Sequence, residues 1–332
     1  MSKRYQLVGI GNAIVDVLAH ATDDFLTEYG VEKGIMQLID RPRAVELYGR
    51  IGPATEISGG SAANTIAGFA HLGGRGAYVG KVKDDQLGAI FGHDLRAQGV
   101  TYEVPLARRD HAEETGRSII LVTPDGERSM NTYLGVTEHL SPADIDEAMM
   151  EEADWIFLEG YRFDGPESHE AFARAIAAVK RGGGKVALTL SDPFCVDRHR
   201  EAFAEMLKTD VDLLFANRAE LLAMYGPGDF DGALQAAAAE VETVVCTESE
   251  HGAHVLRGPM SWHCPAVPTK VVDATGAGDL FAGGFMWGLI EGFDPETCGI
   301  MGNIAASEVI SHLGARPEAD LKARFRAFGL KV

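Results

Sequence analysis

Cysteine is scarce in this 332-residue chain: Cys195, Cys246, Cys264 and Cys298 lie far apart and form no C-x-x-C pair. That spacing argues against a disulfide framework or a structural zinc site and fits reduced thiols. Basic residues are also short, 30 Lys and Arg against 49 Asp and Glu, for a formal net charge of −19. Phosphate backbones and anionic bilayers are held by clustered Lys and Arg, so neither nucleic acid nor a membrane is an expected partner. No long hydrophobic run exists. The longest uncharged stretch, residues 57–74, contains Ser58, Ser61, Asn64, Thr65 and His71 and is too polar to span a bilayer. Lys3 and Arg4 precede only a short apolar run before Asn12 and Asp16, so no secretory signal is expected and a cytoplasmic location follows. With 13 prolines and no Gly-x-y period, collagen-like and low-complexity assignments fail.

Several catalytic signatures are missing too. No G-x-x-x-x-G-K-[ST] occurs, which excludes a P-loop enzyme, and the H-R-D and D-F-G elements of protein kinases are absent. No G-x-S-x-G is found, since Gly59-Gly60-Ser61-Ala62-Ala63 fails at its last position. The dinucleotide fingerprint fails in Gly9-Ile10-Gly11-Asn12-Ala13-Ile14, where Ile14 stands in place of the third glycine. His251 and His254 have no companion ligand motif and read as ordinary turn histidines.

What is present is a packed α/β chain, 46% hydrophobic and 24% charged. Strand-like runs at 5–11, 77–82, 155–158, 185–190, 211–215 and 243–247 are separated by helical periodicity. Helices are expected at 62–72, 85–97, from Ser141, and at 168–181, 200–208, 218–225, 234–240, 279–290 and 295–313. This alternation specifies a mainly parallel sheet covered by helices. Two stretches break it, about 13–40 and 100–137, with β-rich runs and turns such as Pro124-Asp125-Gly126. Together they would form a small discontinuous sheet standing off the core, which suits a lid.

Glycine is in excess, 39 residues, and it concentrates at Gly59-Gly60 and over 276–284, where backbone is expected to approach a ligand. In Val271-Val272-Asp273-Ala274-Thr275-Gly276-Ala277-Gly278-Asp279, the turn of Gly276, Ala277 and Gly278 would converge backbone N–H groups on an anion at a helix N-terminus. Asp279, in the first helical turn, would accept a proton from a hydroxyl attacking a phosphate. An aspartate cap on a glycine-rich turn uses the same residues. Gly59, Gly60 and Asn64 suit backbone and side-chain contact with a ligand, or a plain loop-to-helix connection. Asn12 and Asp16 follow the first strand, where a carboxylate can accept two hydrogen bonds from the vicinal hydroxyls of a sugar. Asn217 and Glu220, three apart at a helix start, would hold Mg²⁺ through water or form a capping pair.

Three segments, Gly59-Gly60-Ser61-Ala62-Ala63-Asn64, Asn217-x-x-Glu220 and Asp273-x-Thr275-Gly276-Ala277-Gly278-Asp279, together resemble the hallmarks of the PfkB, or ribokinase-like, carbohydrate kinases. The likeness runs over nearly all of residues 1–332. It implies a three-layer α/β/α core with a small β lid, ATP and Mg²⁺, and transfer of the γ-phosphate to a sugar hydroxyl. It makes Asp279 the base and the 276–278 amides the anion hole. Asn12, Asp16, Gly59, Gly60 and Asn64 then hold the sugar, and Glu220 with Asn217 organises Mg²⁺ and water. It also places Thr247 and Asn303 near the nucleotide, sets Arg128 on the lid against phosphate, and allows potassium beside the Asp273 turn. Monomer and homodimer both remain open.

Within the family, Gly9-Ile10-Gly11-Asn12-x-x-x-Asp16, Asp24-Phe25-Leu26, Tyr29-Gly30, Leu188-Thr189-Leu190-Ser191-Asp192-Pro193-Phe194 and Val211-Asp212-Leu213-Leu214-Phe215-Ala216-Asn217 are similar to the adenosine kinase branch. That branch implies transfer to the 5′-hydroxyl of adenosine, giving AMP and ADP, with a free sugar such as ribose or fructose as the alternative acceptor. Three residues depart from the pattern: Thr189 stands where Asn is usual, Ser249 where glycine is expected, and Arg162 where an aromatic would face the purine.

Overall fold

The computed structural model describes residues 3–332. Eight strands form the larger sheet, in the order Met260–Cys264, Ala253–Arg257, Thr243–Thr247, Leu213–Asn217, Lys185–Thr189, Ala153–Glu159, Tyr5–Ile10 and Gly76–Val79. The last six are parallel, and the first two fold back antiparallel about Gly258-Pro259. Alternate residues of each strand point to opposite faces. Val8, Ile10, Ile156, Leu158, Leu214 and Val244 pack under the helices Ser168–Arg181, Pro193–Thr209, Arg218–Tyr225 and Phe230–Glu240. Leu7, Phe157, Leu213, Phe215 and Val245 pack under Ser61–His71, Gln86–Ala97, Ala277–Ile290 and Pro295–Val309. The result is the expected ribokinase-like three-layer arrangement.

Glycines let the second helical layer close up. A Cβ on Gly283 would lie 2.8 Å from the Thr65 carbonyl, and one on Gly68 would lie 2.5 Å from Leu280 Cδ1. Gly284 meets the Met301 carbonyl at 2.9 Å in the same sense. Gly283 and Gly284 therefore serve helix packing, not the ligand approach expected for the whole 276–284 run.

A separate five-stranded sheet runs Met36–Leu38, Arg128–Tyr133, Gly116–Val122, Ile14–His20 and Ala54–Gly59. Val17, Ala19, Leu26, Leu47, Ile119 and Leu121 form its own core. Its Ala54–Gly59 strand lies outside the two stretches read as β-rich, because Ala-Thr-Glu-Ile-Ser-Gly offers one large apolar residue. Register against Ile14–His20, with Asp16 opposite Ile57, supplies what propensity does not.

Other differences have local causes. The helix expected from Ser141 is a short 3-10 turn, Pro142–Asp144, and a second start at Glu147–Glu151, because Asp146 caps Ala148 and Met149. The strand expected at 211–215 is Leu213–Asn217, since Val211 N–H still bonds the Met206 carbonyl. The 200–208 helix begins at Pro193, capped by Asp192, and bends at His199. His254 lies on a strand, not a turn. Among the described residues no helix is long and apolar enough to cross a membrane.

Candidate active site

Parallel strands in register bring their C-terminal ends to one edge. Ile10 pairs Leu158, Glu159 pairs Thr189, Phe215 pairs Thr189, and Asn217 pairs Thr247. Asn12, Glu159, Asn217 and Thr247 therefore share the edge where open α/β sheets bind ligands. Asp273 and Asp279 reach it from the loop and helix that follow the antiparallel hairpin.

The helix Ala277–Ile290 starts from Gly276 in the left-handed region, φ +79°, and Gly276 supplies no side-chain cap. Its first N–H groups thus lack the usual cap acceptor. A Cβ on Gly278 would meet nothing within 4 Å, so the turn faces open space there, whereas Gly276 packs against Ala315. Asp273 braces the loop, accepting from Thr275 N–H at 2.9 Å and from Gly314 N–H at 2.7 Å. Asp279 is held by two donors from another helix: Ser61 Oγ at 2.6 Å and Asn64 Nδ2 at 2.8 Å. Burial raises its pKa, while Ser61, Asn64 and Arg316 oppose the rise.

On the Ile14–His20 strand of the smaller sheet, Asp16 is 7% exposed and burial pushes its pKa up to about 7, with Arg316 the main opposing charge. A Cβ on Gly59 would overlap that carboxyl, and one on Gly60, φ +94°, would overlap the Asn12 carbonyl. Glu159, 1% exposed, ties this corner together by accepting from Asn12 N–H at 3.1 Å and Ala62 N–H at 2.8 Å. Burial pushes its pKa to about 7 as well. Arg162 is buried beneath Asn12. It donates to Asn12 Oδ1 at 3.1 Å, the Thr137 carbonyl at 2.7 Å and Ser168 Oγ at 2.7 Å. A side chain expected against an open purine pocket is instead a strut. Beyond Thr137 lies a cleft of about 390 Å³ lined by Leu38, Arg41, Tyr133, Leu134, Glu138 and His139.

Asn217 and Glu220 form a reciprocal capping box: Glu220 N–H donates to Asn217 Oδ1, and Asn217 N–H and Nδ2 donate to the Glu220 carboxylate. Burial pushes Glu220 to about 7. Both its oxygens carry a hydrogen bond, which fits a contact to a metal's water better than direct ligation. Thr247 is half-buried at its strand end. Asn303 is 7% exposed, and its Nδ2 donates to the Cys264 and Pro265 carbonyls at 2.9 and 3.1 Å. Arg128, on the smaller sheet, donates to Thr275 Oγ1 at 3.1 Å and pairs with Asp273, tying that sheet to the loop before Ala277–Ile290. The Asp273 carboxylate therefore has a cationic partner within the fold. Ser249 sits at φ +48°, which explains why a glycine is expected there.

The pfkB family carbohydrate kinase model matches residues 35–321. The chain belongs to this family. The protein is similar to the adenosine kinase from Sinorhizobium meliloti, 47% identical with a TM-score of 0.91 over 98% of this chain and 99% of that one. It is 44% identical to a probable sugar kinase from Rhizobium etli CFN 42, with a TM-score of 0.92 and the same coverage. An ATP-dependent ribose-1-phosphate kinase of Halopiger xanaduensis is 31% identical over 86% of this chain and 92% of its own.

As a member of the pfkB family the chain carries its three motifs, but the motifs omit several residues that touch this site. Ser61 lies inside the first motif, where a serine at a helix start carries no local sign of its bond to Asp279. Glu159 is the last residue of its strand, and a lone acid closing an apolar run is its signal. Arg316 stands in the loop after Pro295–Val309, where nothing local marks it.

Proposed function

We propose that this kinase transfers the γ-phosphate of ATP to the 5′-hydroxyl of adenosine, giving AMP and ADP. The observation that carries the reading is Asp279, fixed by Ser61 and Asn64 beside a turn that is open at Gly278. In this reading Asp279 takes the hydroxyl proton, the acceptor oxygen bonds the γ-phosphorus, and ADP departs with the bond to its β-phosphate oxygen broken. The 276–278 amides hold the transferring group. Asn12, Asp16, Gly59, Gly60 and Asn64 hold the ribose. Asn217, Thr247 and Asn303 line the nucleotide side, and Arg128 lends positive charge from the smaller sheet, which acts as a lid excluding water. Mg²⁺ screens the triphosphate charge when bound, and Glu220 would receive one of its waters. The adenosine assignment is supported by the likeness to the Sinorhizobium meliloti adenosine kinase.

A second acceptor class, a free sugar such as ribose or fructose, is favoured by Arg162, which presents no aromatic face to a base. A coupled ADP-release assay decides between them, over adenosine, other nucleosides, ribose, fructose and ribose 1-phosphate. Adenosine should lead in kcat/KM. A lead for any sugar by a wide margin replaces the adenosine reading.

A further inference from the structure

Arg316 has no part in the reading above, yet it stands in the middle of the site. Its Nη2 donates to the Ser58 carbonyl at 2.9 Å and to Ser58 Oγ at 3.1 Å. Ser58 N–H is taken by Asp94 Oδ2 at 2.9 Å, so the start of the 58–64 segment is gripped from two sides. That one segment touches both carboxylates: Gly59 lies against Asp16, and Ser61 and Asn64 hold Asp279. The remaining guanidinium donors, Nε and Nη1, are buried and have no partner. Buried donors are seldom left so, and a planar fork of N–H groups matches oxygen acceptors.

The charges point the same way. Asp16 and Asp279 are the two carboxylates that bear most on Arg316, with Tyr78 and Asp94 behind them. Burial lowers its pKa to about 10, which keeps it charged at neutral pH. The other charges felt by Asp16 are Arg128, Asp273 and Asp279. Glu159, Tyr161 and Glu220 in turn feel Asp279, so the surroundings of the pair are mostly acidic.

We propose that Arg316 is the shared counter-ion of Asp16 and Asp279, and that its unpartnered Nη1 donates to an oxygen of the acceptor lying between them. Asp16 and Asp279 accept hydrogen from the acceptor's hydroxyls, and Arg316 supplies the donor that a hydroxyl oxygen still lacks. The inference rests on the reading of Asp16 and Asp279 given under Proposed function.

The test compares wild type with Arg316→Gln and Arg316→Lys. Adenosine binding is measured by calorimetry without ATP from about pH 5.5 to 9, and kcat/KM for adenosine is measured over the same range. Arg316→Gln should weaken adenosine binding about tenfold or more at neutral pH and move the acid limb of both profiles upward by about one unit. Arg316→Lys, which keeps the charge without the fork, should restore the limb but not the full affinity. Circular dichroism checks that each variant folds, and Arg316→Lys carries the test on its own if Arg316→Gln does not. Adenosine affinity and acid limb both within about twofold of wild type in the folded variants overturn the role of Arg316, as does a loss confined to the KM for ATP. A wild-type protein that binds neither nucleoside nor sugar overturns the underlying functional reading, and this inference with it.

Discussion

Gly59 packs against the Asp16 carboxyl so closely that a methyl group on its α-carbon would overlap it. Gly59→Ala must therefore displace Asp16 or the strand that carries it. Overpacking of this kind costs about 1–3 kcal/mol. Because the displaced group is a proposed sugar contact, KM for the acceptor should rise at least about tenfold, more than kcat falls. Equal kinetics for Gly59→Ala and wild type would remove Asp16 from acceptor binding.

Asp279→Asn keeps both side-chain partners within reach but cannot take a proton. Turnover should drop by about 10²–10⁴-fold, the usual worth of a positioned base, while adenosine affinity changes little. Near-normal ADP release from this variant would take Asp279 out of the role of base.

Three buried carboxyls, Asp16, Glu159 and Glu220, are each held at about 7 by burial, above ordinary values of 3.8 and 4.5. Each binds its proton more tightly in the folded chain than in the unfolded one. The stability they contribute is full below those ordinary values and is lost as pH rises through 7. The urea midpoint should therefore fall between about pH 5 and pH 8, and Glu159→Gln should flatten the fall. A midpoint that climbs across that range would contradict the buried acids.

Arg128→Ala strands the buried Asp273 carboxylate, whose side chain is 0% exposed. Removing one partner of such a pair costs about 3–5 kcal/mol. The loss should be partly restored by potassium chloride but not by tetramethylammonium chloride, with wild type indifferent to the exchange. Unfolding midpoints in the two salts give the answer, and a wild type that depends on potassium would refute the internal cation.

The parallel core was legible because its strands are apolar on both faces and its helices carry plain start signals. Ser168–Arg181 and Arg218–Tyr225 fall on the residues that periodicity marks. The edge hairpin and Ala54–Gly59 were not, because partner strands, not propensity, set them. The pairing of Asn217 with Glu220 could be read as capping or as metal binding, and the hydrogen bonds realise the capping pattern. Asp279 was legible from its turn, whereas its holders Ser61 and Asn64 come from 218 and 215 residues away in sequence. Arg316 was invisible for the same reason: only tertiary contact brings it to Ser58, 258 residues away in sequence.

Asp279 and Asn64 ride on two helices that their glycines press together, so they behave as one rigid block. Asp16 is mounted elsewhere, on the Ile14–His20 strand of the smaller sheet. The two carboxylates are thus the tips of a gauge, one on a helix of the core and the other on the smaller sheet. Any molecule that touches both tips has its length read by the spacing of two separately built frames before chemistry begins.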